Sequence, residues 1–290
     1  MHMSASSPPT HKTSTLPPRS IDQWLETQQA TQALVDISVV VPAYNEERRL
    51  PPTLLDLVDY FDQQSLAYEI IVVDDGSNDS TSQVVRKFER VREQVKLIQL
   101  PKNYGKGHAV RLGALNTHGK VILFADADGA TPVVEFEKLY TAIQNGAEIA
   151  IGSRALYSND TRVSTSFHRK VFGRIFNTFV NSLLLPELKD TQCGFKMFSR
   201  SAGLFLFKQQ RSDRFSFDVE LLYIARKAHI AIKEIPVNWT NIPGSKVNLL
   251  IDSIKMFRDL FRFKVWHRSV VYDDYSRFKS ALAGNSSKNT

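Results

Sequence analysis

Asp126-Ala127-Asp128 follows the apolar run Val121-Ile122-Leu123-Phe124, with Ala125 between them. Two carboxylates two residues apart at a strand end bring hard oxygen donors towards one point. That suits Mg²⁺ or Mn²⁺ shared with phosphate oxygens, since Mg²⁺ usually keeps only one or two protein carboxylates. The same tripeptide also occurs in solvated turns, and its place after a buried strand is what favours the metal reading. Two further apolar runs end in polar groups. Glu69-Ile70-Ile71-Val72-Val73 stops at Asp74-Asp75-Gly76-Ser77, which is partly a turn and helix cap and offers a carboxylate to a nucleotide's base or ribose. Ile37 to Val41 ends at Pro42-Ala43-Tyr44-Asn45-Glu46-Glu47, where Tyr44 can pack beside a base and Glu46 can accept from ribose or base. Asn103-Tyr104-Gly105-Lys106-Gly107 is basic and glycine-flanked, with Lys106 suited to a diphosphate. It lacks both the Walker spacing and the third dinucleotide-fold glycine, which excludes a P-loop ATPase and a dehydrogenase.

These strings need a scaffold that brings them to one edge. Strands are expected at Ile37–Val41, Glu69–Val73, Val95–Leu100, Val121–Phe124 and Glu148–Ile151. Helices are expected from Glu47 to about Gln63, from Asn78 or Asp79 to about Arg92, and from Lys106 to Thr117. Nearly continuous apolar strands alternating with helices mean an α/β fold, a mostly parallel sheet covered on both faces. Ligands of such sheets bind at the C-terminal strand ends. Beyond Arg154 two amphipathic helices are expected. Phe172, Ile175, Phe176, Phe179 and Leu183 stripe one; Leu250, Ile254, Phe257, Phe261 and Val265 stripe the other, opposite Asp252, Lys255, Arg258, Asp259 and Arg262. Both stripes read as core faces, with a membrane-surface face as the alternative for the basic, aromatic second helix.

The first 34 residues begin Ser-, Thr- and Pro-rich and are expected to be a disordered tail with a possible short helix around Trp24. Residues 35–268 form the main domain, and 269–290 a flexible C-terminal tail. The 290 residues are 42% hydrophobic, ordinary for a globular chain, with a net charge of +7. That charge suits an anionic partner, but it is spread along the sequence without a nucleic-acid-binding motif, so no nucleic acid is expected. The one cysteine, Cys193, excludes an internal disulfide and reads as a semi-buried thiol in a reducing compartment. No run reaches about 18 apolar residues and no signal peptide is visible, so a cytoplasmic protein is expected, with peripheral attachment to the membrane face possible.

Together the pieces resemble the family 2 inverting glycosyltransferases with the GT-A fold. The resemblance runs from about Ile37 to Trp266 and rests on Val72-Val73-Asp74-Asp75-Gly76-Ser77, Ala125 to Thr131, Gly152-Ser153-Arg154, Asp190 to Lys196, Phe217 to Leu222, Val237-Asn238-Trp239 and Gly244-Ser245-Lys246. The later strings look specific to the branch that loads glucose onto a lipid phosphate. The resemblance implies metal-assisted transfer of glucose from UDP-glucose to a polyprenyl (dolichyl-type) phosphate. Alternatives are GDP-mannose as donor, a saccharide acceptor, or a non-catalytic sugar-nucleotide-binding protein. It implies Pro42, Tyr44, Glu46, Asp74 and Asp75 at the nucleoside, Lys106 at the diphosphate, and Asp126, Ala127 and Asp128 at the metal and diphosphate. Arg154 is implied at a phosphate, and Arg169, Ser245 and Lys246 at the acceptor. Asp218 and Glu220 would line the sugar pocket, and Asp190, with Asp128, would be catalytic.

Overall fold

The computed structural model describes residues 35–164, 177–243 and 249–286. Its centre is a seven-stranded sheet in the order β3-β2-β1-β4-β7-β5-β8. The strands are β1 (Ile37–Ala43), β2 (Tyr68–Asp74), β3 (Val95–Gln99), β4 (Val121–Ala125), β5 (Ile149–Ser153), β7 (Phe195–Ser199) and β8 (Ile232–Pro236). Every pairing is parallel except those of β7, which runs antiparallel between β4 and β5. A small parallel sheet joins β6 (Val163–Ser164) to β9 (Trp239–Thr240). The mostly parallel sheet was expected; β7 and β8 were not, because Phe195-Lys196-Met197-Phe198 and Ile232 to Pro236 carry charges inside short apolar runs.

Both faces of the sheet are buried. Along β1, Val40 faces one core while Ile37, Val39 and Val41 face the other; along β4, Ile122 and Phe124 oppose Val121, Leu123 and Ala125. That alternation needs helices on both sides. α1 (Leu50–Asp62) and α4 (Phe136–Gln144) cover one face with Leu54, Phe61 and Phe136; α3 (Lys106–Leu115), α5 (Arg200–Gln209) and α6 (Phe217–Lys227) cover the other with Val110, Leu206 and Phe217. α2 (Thr81–Glu89) lies along β3. α1 starts later than Glu47 because Pro51 and Pro52 occupy its first turn, where a missing N–H costs nothing. A helical stretch at 177–183, α7 (Leu249–Trp266) and α8 (Tyr272–Ser286) complete the described chain. No helix among the described residues is long and apolar enough to cross a membrane.

Three expectations are corrected here. Residues 269–286, the described part of the segment expected to be a flexible tail, are held on the domain: α8 packs on α5, with Tyr275 buried, its ring edge-on to Phe205, and its hydroxyl 3.2 Å from Ser201 Oγ. In α7 the buried stripe is Met256, Leu260 and Phe263, while Phe261 and Val265 stay 60% and 68% exposed. The apolar residues occupy more than half the helix circumference, so sequence periodicity chose the wrong phase. In the 177–183 stretch, Leu183 packs against the core as expected and Val180 is buried, with Leu184 and Leu185 just beyond, while Phe179 departs from the expected stripe and meets Phe257 edge-on at 4.7 Å on an outer face. Phe172, Ile175, Phe176, Leu250 and Ile254 lie outside the described side chains, and the first 34 residues outside the described chain.

Candidate active site

The three strand ends converge because β2, β1 and β4 are adjacent and parallel. Their loops interlock through the backbone. Asn45, held at φ 54°, donates its N–H to Ser77 Oγ and accepts from the Asn78 N–H, both at 2.8 Å. Asp74 is fully buried; its carboxylate accepts from the Ser77 N–H at 3.0 Å and from the Ser82 hydroxyl. It is a turn and helix anchor, and the expectation that it faces a nucleotide is corrected. Asp75, 2% exposed, accepts the Tyr104 and Gly105 N–H groups at 2.8 Å each, and so fixes the loop that delivers Lys106; burial pushes its carboxyl up. Pro42 is buried within β1, and Tyr44 is half-exposed beyond it. Glu46 is gripped on both oxygens by Arg49, with Nε to Oε2 at 2.7 Å. Arg49 itself reaches on to Asp128 Oδ2 and the Pro243 carbonyl, each at 3.4 Å. Sequence reading gave Arg49 no role, although its spacing three residues after Glu46 was a usable signal.

Asp126 and Asp128 leave β4 with side chains 31% and 24% exposed. Lys106 Nζ sits 2.7 Å from Asp126 Oδ1 and over the Phe124 ring at 5.2 Å. Burial alone would lower the Lys106 amine, but Asp126 and Asp218 reverse this and raise it. Asp128 is pushed up by burial and then by Asp126. Behind them Lys196, 1% exposed, donates to Asp218 at 2.5 Å and to the Cys193 carbonyl at 2.6 Å. A lysine inside the apolar strand β7 is the readable signal for such a buried partner. Gly194 accounts for the room around Asp126: a Cβ there would lie 1.9 Å from Asp126 Oδ2.

The donor set fits a divalent cation. Two hard carboxylates close enough to act on one another's charge are both partly exposed, with Lys106 beside Asp126 and Arg49 beside Asp128. No group of three or more His, Cys, Asp or Glu completes a shell among the described residues. A Mg²⁺ or Mn²⁺ ion would therefore take its remaining ligands from phosphate and water, its usual habit.

Beside this centre Arg154 and Asp190 form a bidentate pair, Nε–Oδ2 at 2.7 Å and NH2–Oδ1 at 2.9 Å, and the Arg154 N–H also donates to Oδ2. Burial by itself would raise the Asp190 carboxyl, but the Arg154 charge and hydrogen bonds outweigh it and bring it to about 2. The guanidinium lies 5.4 Å from the Trp239 ring centre, on β9. Glu234 orients Asp190, accepting its N–H at 2.8 Å. Cys193 is fully buried, its thiol pushed up to about 11 by burial.

Glu220 is corrected. It is 0% exposed and its carboxylate is taken up within the fold: Oε1 accepts from the Arg211 N–H and pairs with His267 Nε2 at 2.7 Å, and Oε2 accepts from the Ser212 N–H. On α6, residues two apart face different directions, so Asp218 and Glu220 could not share a pocket. Ala127 is buried, its carbonyl accepting from Thr53 Oγ1 at 3.0 Å. Arg169, Ser245 and Lys246 lie outside the described residues.

The chain is 41% identical over 250 residues to the dolichyl-phosphate beta-glucosyltransferase of Drosophila melanogaster, covering 82% of this chain and 76% of that one. It is 42% identical over 237 residues to the Homo sapiens protein of the same name, covering 77% and 73%. In fold it superimposes on glucosyl-3-phosphoglycerate synthase from Mycobacterium tuberculosis, solved with Mn²⁺ and uridine-diphosphate-glucose. The TM-score is 0.56 at 19% identity, covering 86% of this chain and 83% of that one. Residues 38–203, which carry all three strand-end strings, match Glycosyl transferase family 2, and the chain belongs to that family.

Proposed function

We propose that this glycosyltransferase moves glucose from UDP-glucose to a dolichyl-type polyprenyl phosphate in a single inverting displacement. The observation that carries the reading is Lys106, Asp126, Asp128 and Asp218 gathered at the ends of β4 and α6, in a chain about 40% identical to glucosyltransferases of that name. Asp126 and Asp128 would hold the divalent cation, which supplies Lewis-acid neutralisation of the leaving diphosphate. Lys106 adds a second positive charge on the same side. Tyr44 and Asp75 lie at the nucleoside end; a carboxylate has about four acceptor positions, so Asp75 can serve a base while tethering its loop.

The acceptor phosphate, with a second pKa around 6, is largely ionised near neutrality and needs little help from a base. That fits Asp190. A carboxylate held at about 2 by Arg154 is a poor proton acceptor, so Asp190 aims the Arg154 guanidinium at a phosphate instead of taking a proton. The deciding experiment is a donor screen against polyprenyl phosphate with Mg²⁺ or Mn²⁺, reading released nucleotide and lipid product. UDP-glucose with the lipid acceptor is expected to be fastest. GDP-mannose preference, or transfer only to saccharides, would replace the assignment. Asp128→Asn retaining full metal-dependent turnover would remove the metal site.

A further inference from the structure

The net charge of +7 looked evenly spread in the sequence, but the fold collects much of it on one side. The loop 210–216 and α7 enclose a cleft of about 290 Å³ lined by Arg211, Arg214, Lys255, Arg258 and Arg262. An adjoining hollow of about 580 Å³ shares Arg211 and adds Arg111 and Lys208. Against these seven cations the two linings hold two carboxylates. Asp213 lies 3.2 Å from His108, and Asp259 accepts from Ser216 Oγ and from Arg262. Trp266 lies between the two hollows.

The same helix carries the apolar half. At 100° per residue, Met256, Leu260 and Phe263 point into the core, Lys255, Arg258 and Arg262 point along the cleft, and Phe261 and Val265 point outward. Both are among the most exposed large apolar side chains in the described structure. Lys264 and Arg268 are exposed beside them. Outward apolar side chains flanked by cations on one helix fit a surface that is anionic above and hydrocarbon below.

We propose that α7 and the 210–216 loop dock this protein on an anionic phospholipid bilayer, with Phe261 and Val265 entering the interface and the arginine cleft meeting lipid phosphates. The surface is tied to the active site. Asp213 and Arg214 pack against Gly105, where a Cβ would lie 2.3 Å from the Asp213 carbonyl, so the loop is one residue from Lys106. The dock does not depend on the acceptor: ordinary phospholipid suffices.

The test is vesicle flotation of the full chain without polyprenyl phosphate, using phosphatidylcholine alone or mixed with phosphatidylglycerol. Binding to the mixed vesicles, weakening as salt rises, is expected. Lys255→Gln with Arg258→Gln should reduce it roughly 30-fold, at about fivefold per charge, and Phe261→Ser should reduce it independently. Glucose transfer to a short-chain, detergent-soluble acceptor should stay at the wild-type rate in these variants, so a wrong acceptor assignment and a wrong dock give different results. Equal binding to neutral vesicles, binding untouched by the substitutions, or tighter capture of a single-stranded oligonucleotide at the same salt would overturn the proposal.

Discussion

Gly194→Ala separates the active site from the fold. The added Cβ would lie 1.9 Å from Asp126 Oδ2 and 2.2 Å from Cγ, against an ordinary contact of at least 3.4 Å. Either the carboxylate retreats by about 1.5 Å or the backbone of Gly194 shifts, and that backbone accepts the Asp126 N–H at 3.0 Å. Both responses displace Asp126 from Lys106. A misplacement near 1 Å at a catalytic centre costs on the order of 100-fold in rate, whereas overpacking costs about 1–3 kcal/mol of stability. We expect kcat/KM for UDP-glucose to fall about 100-fold and the Mn²⁺ concentration for half-activity to rise. In urea without metal the variant should still unfold cooperatively, less stable by no more than those few kcal/mol. Gly284→Ala, in α8 with nothing within 4 Å of its added Cβ, is the control; it should keep the rate and gain about 0.5–1 kcal/mol. Wild-type turnover and metal response in Gly194→Ala would show that the position of Asp126 does not matter to the reaction.

Other outcomes follow from the buried charges. Lys196→Met removes the hydrogen-bonded cation from Asp218, 5% exposed in its side chain, leaving only the Lys106 charge near it, and should cost about 3–5 kcal/mol in chemical denaturation; adding Asp218→Asn should restore part of it, and an unchanged midpoint in the single variant would contradict the pair's role. Asp190 has its folded pKa, about 2, below the ordinary 3.8. Its contribution, about 2 kcal/mol, is therefore complete above roughly pH 4 and is lost as pH falls through 2. The stability gap between wild type and Asp190→Asn should narrow between pH 5 and pH 2, and a gap independent of pH would refute the assignment. Glu46→Gln weakens the hold on Arg49, which links Asp128 to the Pro243 carbonyl; KM for the donor should rise with a smaller change in kcat, measured by initial rates.

The half of the site built on β1, β2 and β4 could be read from the chain because each strand is one uninterrupted apolar run ending in its own polar residues. The half built on β7 and α6 could not. Lys196 and Asp218 are 22 residues apart and have meaning only once paired, and Glu220 resembles Asp218 in sequence while serving His267, 47 residues on. Asp74 and Asp75 are neighbours whose roles diverge because successive side chains leave a strand in opposite directions.

By itself the sequence determined the alternation of strands and helices, the three polar strand ends that a parallel sheet sets side by side, and the Asp126 and Asp128 carboxylates that close one of them. All of these are local patterns whose consequences a parallel sheet simply transmits. Only the tertiary structure decided which face of α7 is buried, that α8 closes the domain, that Arg49 and Arg154 hold Glu46 and Asp190, and that the positive charge gathers beside Trp266. Those outcomes depend on contacts between residues far apart in the chain, where several faces or partners satisfy the local pattern equally well and packing selects one.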